Sequence, residues 1–276
     1  MPDSPIVLEK HLEADDKRPL IVDALKSATP LSKQKIKAAM QKGCVWLTRN
    51  NRTQRVRRAK SRFTKGQSLH IYYDSRIIES TPVEPTLIAD EQNYSIWNKP
   101  SGLLSQGSKW GDHCTITRWA EQNLSPQRNA FTVHRLDKSA SGIILIAHSK
   151  QAAAKLSELF AQRDIVKHYI ARVEGKWDLT ERKTIDSPID NKNAISHVHL
   201  ISYRATDQST LLKIEIETGR KHQIRRHLAQ SGFPIIGDRL YGNRHDVDLM
   251  LSSVKLAFTC PFSGRLQSYE LDPQFD

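Results

Sequence analysis

Phe131-Thr132-Val133-His134-Arg135-Leu136-Asp137-Lys138-Ser139-Ala140-Ser141-Gly142-Ile143-Ile144-Leu145-Ile146-Ala147-His148 is the stretch whose reading decides this chain. Ile143 to Ala147 is an unbroken apolar run rich in β-branched residues, the pattern of a buried strand. Before it lies a polar loop, His134-Arg135-Leu136-Asp137, with Gly142 at the join. A loop feeding a buried strand can hold one carboxylate, Asp137, beside a fixed arginine, and catalytic side chains often sit in such loops.

The flanking sequence supplies the rest of a domain. Tyr94 to Trp97 predicts a short strand, followed by Asn98-Lys99-Pro100-Ser101-Gly102-Leu103-Leu104, where Pro100 and Gly102 impose a turn. Ile116 to Gln122 predicts a short helix. After the central loop, Ser149 caps a helix predicted over Lys150 to Arg163, with Ala152, Ala153, Leu156, Leu159 and Phe160 as its apolar stripe. Asp164 to Val173 reads as a strand. Residues 176–210 are polar and uneven, and their strands cannot be ordered from the pattern. Leu212, Ile214 and Ile216 then alternate with Lys213, Glu215 and Glu217, a half-buried strand. Thr218 to Leu228 enters a helix that stops near Gly232, and Leu256 to Thr259 predicts a closing strand.

The first quarter of the chain differs in charge. The whole sequence of 276 residues carries a formal net charge of +12. Residues 1–16 hold a net −4, residues 17–73 a net +14 and residues 74–276 a net +2. A field so concentrated repels itself unless a polyanion answers it, and a phosphate backbone is the obvious partner. Within this region Leu20, Ile21, Ala24 and Leu25 recur at helical spacing. Ser32 caps a second helix ending at Gly43. Cys44 to Thr48 and Leu69 to Tyr73 predict strands.

Several function classes are excluded or disfavoured. No apolar stretch approaches the ~18–20 residues of a membrane span, and the N-terminus has no basic and then apolar leader pattern. Cys44, Cys114 and Cys260 show no paired spacing, which points to a reducing, cytoplasmic setting without a zinc site. His197 and His199 share a strand face without further ligands nearby and are read as surface residues. The His-x-Glu with Pro-Cys-x-x-Cys of a zinc deaminase is absent, as is the phosphate-binding Gly-x-x-x-x-Gly-Lys-Ser/Thr loop.

His134-Arg135-Leu136-Asp137, with Ser141-Gly142 following, resembles the signature of the RluA-type RNA pseudouridine synthases. Three further blocks agree in order. These are Asn98-Lys99-Pro100-Ser101-Gly102-Leu103; Gly219-Arg220-Lys221-His222-Gln223-Ile224-Arg225; and Gly232 to Gly242, which contains Pro234-Ile235, Gly237-Asp238 and Tyr241. Ser32-Lys33-Gln34-Lys35-Ile36, Gly43-Cys44-Val45 and Lys65-Gly66-Gln67-Ser68-Leu69 are similar to an S4-type RNA-binding module, although Leu47 to Asn51 replaces its usual hairpin turn. The resemblance implies an α+β catalytic domain over residues 87–276. Its expected fold is pseudouridine synthase-like, a mixed, mostly antiparallel sheet flanked by helices with the site in a cleft. A flexible N-terminus (1–16), a small S4-like α/β-hairpin domain (17–75) and a linker (76–86) precede it.

The resemblance also implies the chemistry. Uridine in RNA is isomerised to pseudouridine by exchanging an N1–C1′ bond for a C5–C1′ bond, without cofactor or metal. One carboxylate can serve as nucleophile, as in glycoside chemistry, and Asp137 matches it. Its charged form is favoured by a cation within ~4–6 Å, and Arg225 matches that partner. The target base must leave its stack; Tyr169 matches the residue placed against it, and Arg135 matches the one that contacts RNA and holds the base out. Read from residue types alone, Arg225 could instead pair with Glu215 or Glu217, and His134 and His222 are loop and helix-start hydrogen-bonders rather than bases. Ribosomal RNA is favoured over transfer RNA as substrate. The alternative is a non-catalytic RNA-binding or ribosome-assembly protein on the same scaffold.

Overall fold

The computed structural model describes residues 4–178, 182–243, 246–273 and 275. They form two compact units. The first runs to Pro82 and takes in Gln106–Trp119, and the second comprises Val83–Ser105 and the chain from Ala120 onward.

In the first unit, a four-stranded antiparallel sheet has the order β1-β4-β2-β3. Its strands are β1 (Val7–Glu13), β2 (Val45–Arg49), β3 (Arg52–Arg55) and β4 (Gln67–Asp74). Helices α1 (Ile21–Ala28) and α2 (Lys33–Gln41) precede β2, and the short α3 (Ser75–Ile78) follows β4. Ile21, Leu25, Ile36, Met40, Leu69 and Ile71 are fully buried in one core. Ser32 caps α2 as read, its hydroxyl accepting from the Lys35 amide at 3.2 Å, a cap that contributes about 1 kcal/mol. The β2–β3 turn is Asn50-Asn51, both with positive φ (49° and 57°), the two-residue hairpin geometry that asparagine tolerates.

Three expected boundaries are corrected here. The terminus read as flexible forms β1, paired along its length with β4, because Leu8 and Leu12 pack on the core and backbone bonds need no particular side chains. The expected linker begins with α3, whose Ile78 is buried in the same core. Residues 106–119, expected in the catalytic domain, belong to the first unit. There the Asp112 carboxylate meets Arg55 at 3.3 Å and also Arg57, and the Asp112 amide donates to the Lys42 carbonyl. A carboxylate tying down two distant arginines leaves no mark on local periodicity.

The second unit is built on a ten-stranded sheet. Its elements, in chain order, are β5 (Thr86–Asp90), β6 (Tyr94–Lys99), α4 (Ile116–Asn123), β7 (Phe131–Thr132), β8 (Ser141–Ala147), α5 (Lys150–Gln162), β9 (Ile165–Glu174), β10 (Lys183–Ile185), β11 (Ser196–Arg204), β12 (Ser209–Ile216), α6 (Gln223–Gln230), β13 (Leu251–Thr259) and β14 (Leu266–Glu270). Helix α4 starts in residues grouped with the first unit. The strand order is β10-β11-β12-β9-β13-β8-β6-β5, with β14 paired to β13 and β7 to β8. Among the described strands, only β8 and β13 pair in parallel. This is the expected α+β fold with a mixed, mostly antiparallel sheet.

The parallel junction positions the central loop. Gly142 (φ 105°) lies against Ser253 of β13, where an added Cβ would fall 2.2 Å from the Ser253 carbonyl oxygen. Only glycine permits both that conformation and that approach. Gly142→Ala is therefore expected to destabilise the protein by about 3–5 kcal/mol, read from the urea midpoint of the intact chain. A midpoint equal to wild type would show that the two strands do not need this approach.

Candidate active site

Asp137 lies in the loop between β7 and β8, which is tied down from both sides. Ser105 bridges Leu136, its hydroxyl accepting from the Leu136 amide at 3.0 Å and donating to the Leu136 carbonyl at 2.6 Å. The Gly102 amide donates to the Lys138 carbonyl at 2.8 Å. Beneath this bond Lys99 is fully buried, its ammonium donating to the carbonyls of Pro100 and Leu103, each at 2.9 Å. Burial pushes the Lys99 amine down to about 7, opposed by the charge of Asp137. The Asn-Lys-Pro-Ser-Gly-Leu stretch thus forms the floor under the Asp137 loop.

His134, at the start of the loop, is structural. Its ring stacks on Phe160 with centroids 4.5 Å apart, and its Nε2 accepts from the Leu145 amide at 2.9 Å. Burial drives its imidazole down to about 3, so it is neutral.

Arg225, in the first turn of α6, reaches Asp137 Oδ2 through Nη1 at 3.2 Å. Its other face forms a fork with Asp238, Nε–Oδ2 at 2.8 Å and Nη2–Oδ1 at 2.7 Å. Glu215 and Glu217, the alternative partners, are engaged by Lys213 and His197 respectively. Burial alone would raise the Asp238 carboxyl, but the Arg225 fork and the amides of Leu240 and Tyr241 hold it below the usual range. Burial works against the Arg225 charge, but the two carboxylates keep its pKa raised. The Gly-Asp-x-x-Tyr-Gly block therefore supplies the acid that fixes Arg225, a pairing that sequence reading did not identify.

Gln223 explains the neighbouring motif residues. Its Oε1 accepts from Thr218 Oγ1 (2.7 Å) and the Arg220 amide (3.0 Å), and its Nε2 donates to the Ile195 carbonyl (2.9 Å) and Ser196 Oγ (3.0 Å). This fully satisfied amide joins the end of β12, the start of α6 and the loop before β11. His227 adds bonds to Ser196 and Ser187. These bonds tie Ser187, Ile195 and Ser196, within the stretch whose strands the pattern leaves unordered, to α6. His197 has both ring nitrogens engaged, by Thr184 and Glu217.

Arg135, Asp137, Tyr169, His222 and Arg225 line one cavity of about 100 Å³, with Ile216 and Leu251 as apolar walls. Tyr169, in the middle of β9, is buried, and burial followed by the charge of Asp137 pushes its phenol up to about 12. Arg135 is exposed at the rim. A second cavity of about 370 Å³ is also lined by Asp137, His222 and Arg225, together with Leu240, Val247 and Leu249. All four sequence-predicted site residues thus meet around one cavity. The arrangement offers one carboxylate held by a cation, beside a space of about one pyrimidine ring with apolar walls.

A family model for RNA pseudouridylate synthase matches residues 93–230. The dual-specificity RNA pseudouridine synthase RluA of Escherichia coli (strain K12) is 31% identical over 215 residues, 70% of this chain and 96% of that protein. The uncharacterized RNA pseudouridine synthase YhcT of Bacillus subtilis (strain 168) is 31% identical over 196 residues, and the match covers 62% of this chain and 64% of YhcT. Ribosomal large subunit pseudouridine synthase D of Xanthomonas campestris is 33% identical over 174 residues, 56% of this chain and 51% of that protein. Among solved structures, human RNA pseudouridylate synthase domain containing 1 shares the fold with a TM-score of 0.58 at 20% identity, over 68% of this chain and 83% of that chain. With the family model covering half of the chain and RluA matched over nearly its whole length, this chain belongs to the RluA-type family of RNA pseudouridine synthases.

Proposed function

We propose that this protein isomerises uridine in structured RNA to pseudouridine, with Asp137 as the nucleophile. The observation that carries this reading is the hold on Asp137: Arg225 occupies Oδ2, and the carboxylate borders a uracil-sized cavity. Arg225 cannot turn away, because Asp238 fixes its other edge. An aspartate anchored through one oxygen presents the other to a sugar carbon. Its attack on C1′ releases the uracil as an anion through N1. Tyr169 and the apolar walls keep the free base in place while it turns. C5 then bonds to C1′, the C1′–O bond breaks, and the carboxylate is restored. Exposed Arg135 at the rim supports a role in filling the gap left by a flipped base.

The first unit is the RNA-holding module in this proposal. Lys33, Lys35 and Lys37 are exposed on α2, the helix of the S4-like pattern, within the region of net +14. Ribosomal RNA is the favoured substrate, in keeping with the Xanthomonas relative, whose name places its action on the large ribosomal subunit.

Three outcomes test the proposal. Asp137→Ala should abolish tritium release from [5-³H]uridine-labelled ribosomal RNA while RNA affinity stays within a few fold; strong turnover by the variant removes Asp137 from its role. Asp238→Asn frees one edge of Arg225, and kcat should fall about a hundredfold with KM little changed, as expected for a misaimed nucleophile. Replacing Lys33, Lys35 and Lys37 by Gln should weaken binding and reduce the slope of log K against log salt by about 0.7 for each phosphate that is no longer neutralised. An unchanged slope would show that α2 does not touch RNA.

A further inference from the structure

Transfer through Asp137 disposes of the glycosidic bond but leaves a proton on C5 that must go to an acceptor near C1′. Among the described residues, few groups lining the cavity could take it. Arg135, Arg220 and Arg225 are cations without a lone pair. The Tyr169 phenol, raised to about 12, keeps its proton throughout. The Gln223 amide is spent on its four hydrogen bonds. Asp137 is bonded to C1′ until the C1′–O bond breaks, and Arg225 still holds its Oδ2 when it leaves. The neutral acceptor beside it is His222.

His222 stands at the N-terminus of α6, yet its side chain makes no capping bond. It is a hydrogen-bonder at the helix start, as read, but its partner is Tyr241 and not the helix backbone. Its backbone is left-handed (φ 55°, ψ 29°), an uncommon region for a non-glycine residue. The ring lies with Nε2 3.7 Å from Asp137 Oδ1, and Nδ1 shares a hydrogen bond of 2.8 Å with the Tyr241 hydroxyl. Oδ1 is the oxygen that Arg225 leaves open. The His222 side chain is 16% exposed, so a proton on it can exchange with water.

We propose that His222 is the base that takes the proton from C5 of the rearranged uracil, with Tyr241 setting its tautomer. This rests on the isomerisation proposed above. While Asp137 is anionic, the Tyr241 hydroxyl donates to Nδ1 and Nε2–H faces Oδ1. Once Oδ1 is bonded to C1′, that charge is gone. The tautomer with Nδ1–H donating to the Tyr241 oxygen then turns the Nε2 lone pair toward the base. After C5 has bonded to C1′ and Asp137 has left with its electron pair, the C5–H bond breaks. Its electrons form C5=C6, the N1=C6 pair moves onto N1, N1 takes a proton from solvent, and the C5 proton goes to Nε2. The imidazolium sits beside the restored carboxylate until water removes the proton.

The charges around the ring fit this work. Burial lowers the His222 pKa, Arg225 and Lys221 lower it further, and Asp137 and Asp238 oppose them, leaving it below its ordinary value. The base is therefore neutral at pH 7 and is lost only as pH falls through that lowered value. Activity should show an acid limb there.

The test uses ribosomal and transfer RNA transcripts made with uridine carrying hydrogen or deuterium at C5. His222→Asn keeps a residue that tolerates the left-handed backbone. It should slow pseudouridine formation by roughly 10²–10⁴-fold, the range of a lost general base. It should also bring out a primary deuterium isotope effect larger than wild type's, and lose the acid limb. Imidazole added to His222→Gly should restore turnover. Tyr241→Phe, an exposed substitution, should slow the reaction less, with an isotope effect of the same sign. A His222→Asn enzyme within a few fold of wild type overturns the proposal. So does one that is slow with no added isotope effect and no rescue of His222→Gly by imidazole. Wild type forming no pseudouridine in either RNA overturns the isomerase reading itself, a result distinct from both.

Discussion

A guanidinium buried between two carboxylates governs this site. Arg225 is 4% exposed and Asp238 1% exposed, so neither charge has water to fall back on. Removing one partner from such a pair costs several kcal/mol, because it strands the other charge in a poor dielectric. The fork to Asp238 uses Nε and Nη2, and only Nη1 is left to meet Asp137. The placement of Asp137 thus follows from a structural pair one step removed. It also explains why the Gly237-Asp238 turn and the start of α6 must come together: each is the other's electrostatic complement.

Much of this architecture is legible along the chain. The buried strand after Gly142, the capped helix after Ser149 and the alternation at Leu212, Ile214 and Ile216 each follow from side-chain period, because each element buries one face. The missed parts share a different physics. Strand β1 carries only Leu8 and Leu12 inward, too few for a pattern, and is held by backbone bonds. Residues 106–119 are assigned by Asp112 meeting Arg55 and Arg57, an ion pair between distant positions. The start of β11 is tied to α6 by Gln223 and His227, whose partners lie some thirty residues earlier.

The site shows the same division. Asp137, Tyr169, Arg135 and Arg225 are singled out by resemblance because motif spacing marks them, and they line one cavity. Asp238, Gln223 and Lys99 stand inside the same motifs, but their function is to hold other groups, and a motif does not say which member touches which. Lys99 illustrates the limit. A lysine in a turn reads as surface charge, yet here it is fully buried under three carbonyls, its charge opposed by burial and favoured by Asp137.

In the proposed reaction these placements separate two electrostatic tasks. The nucleophile must stay anionic next to a cation, while a base must be neutral and proton-accepting a few ångströms away. Arg225 serves the first, because two carboxylates hold its charge in place. The second is served by His222, because burial and the same Arg225 disfavour the imidazolium. One cation therefore supports both groups in the states they need, and Tyr241 touches both sides of the arrangement, its ring against Arg225 at 5.2 Å and its hydroxyl on His222. His222 precedes α6 with a left-handed backbone, and from that position its ring reaches both Asp137 and Tyr241 instead of capping the helix.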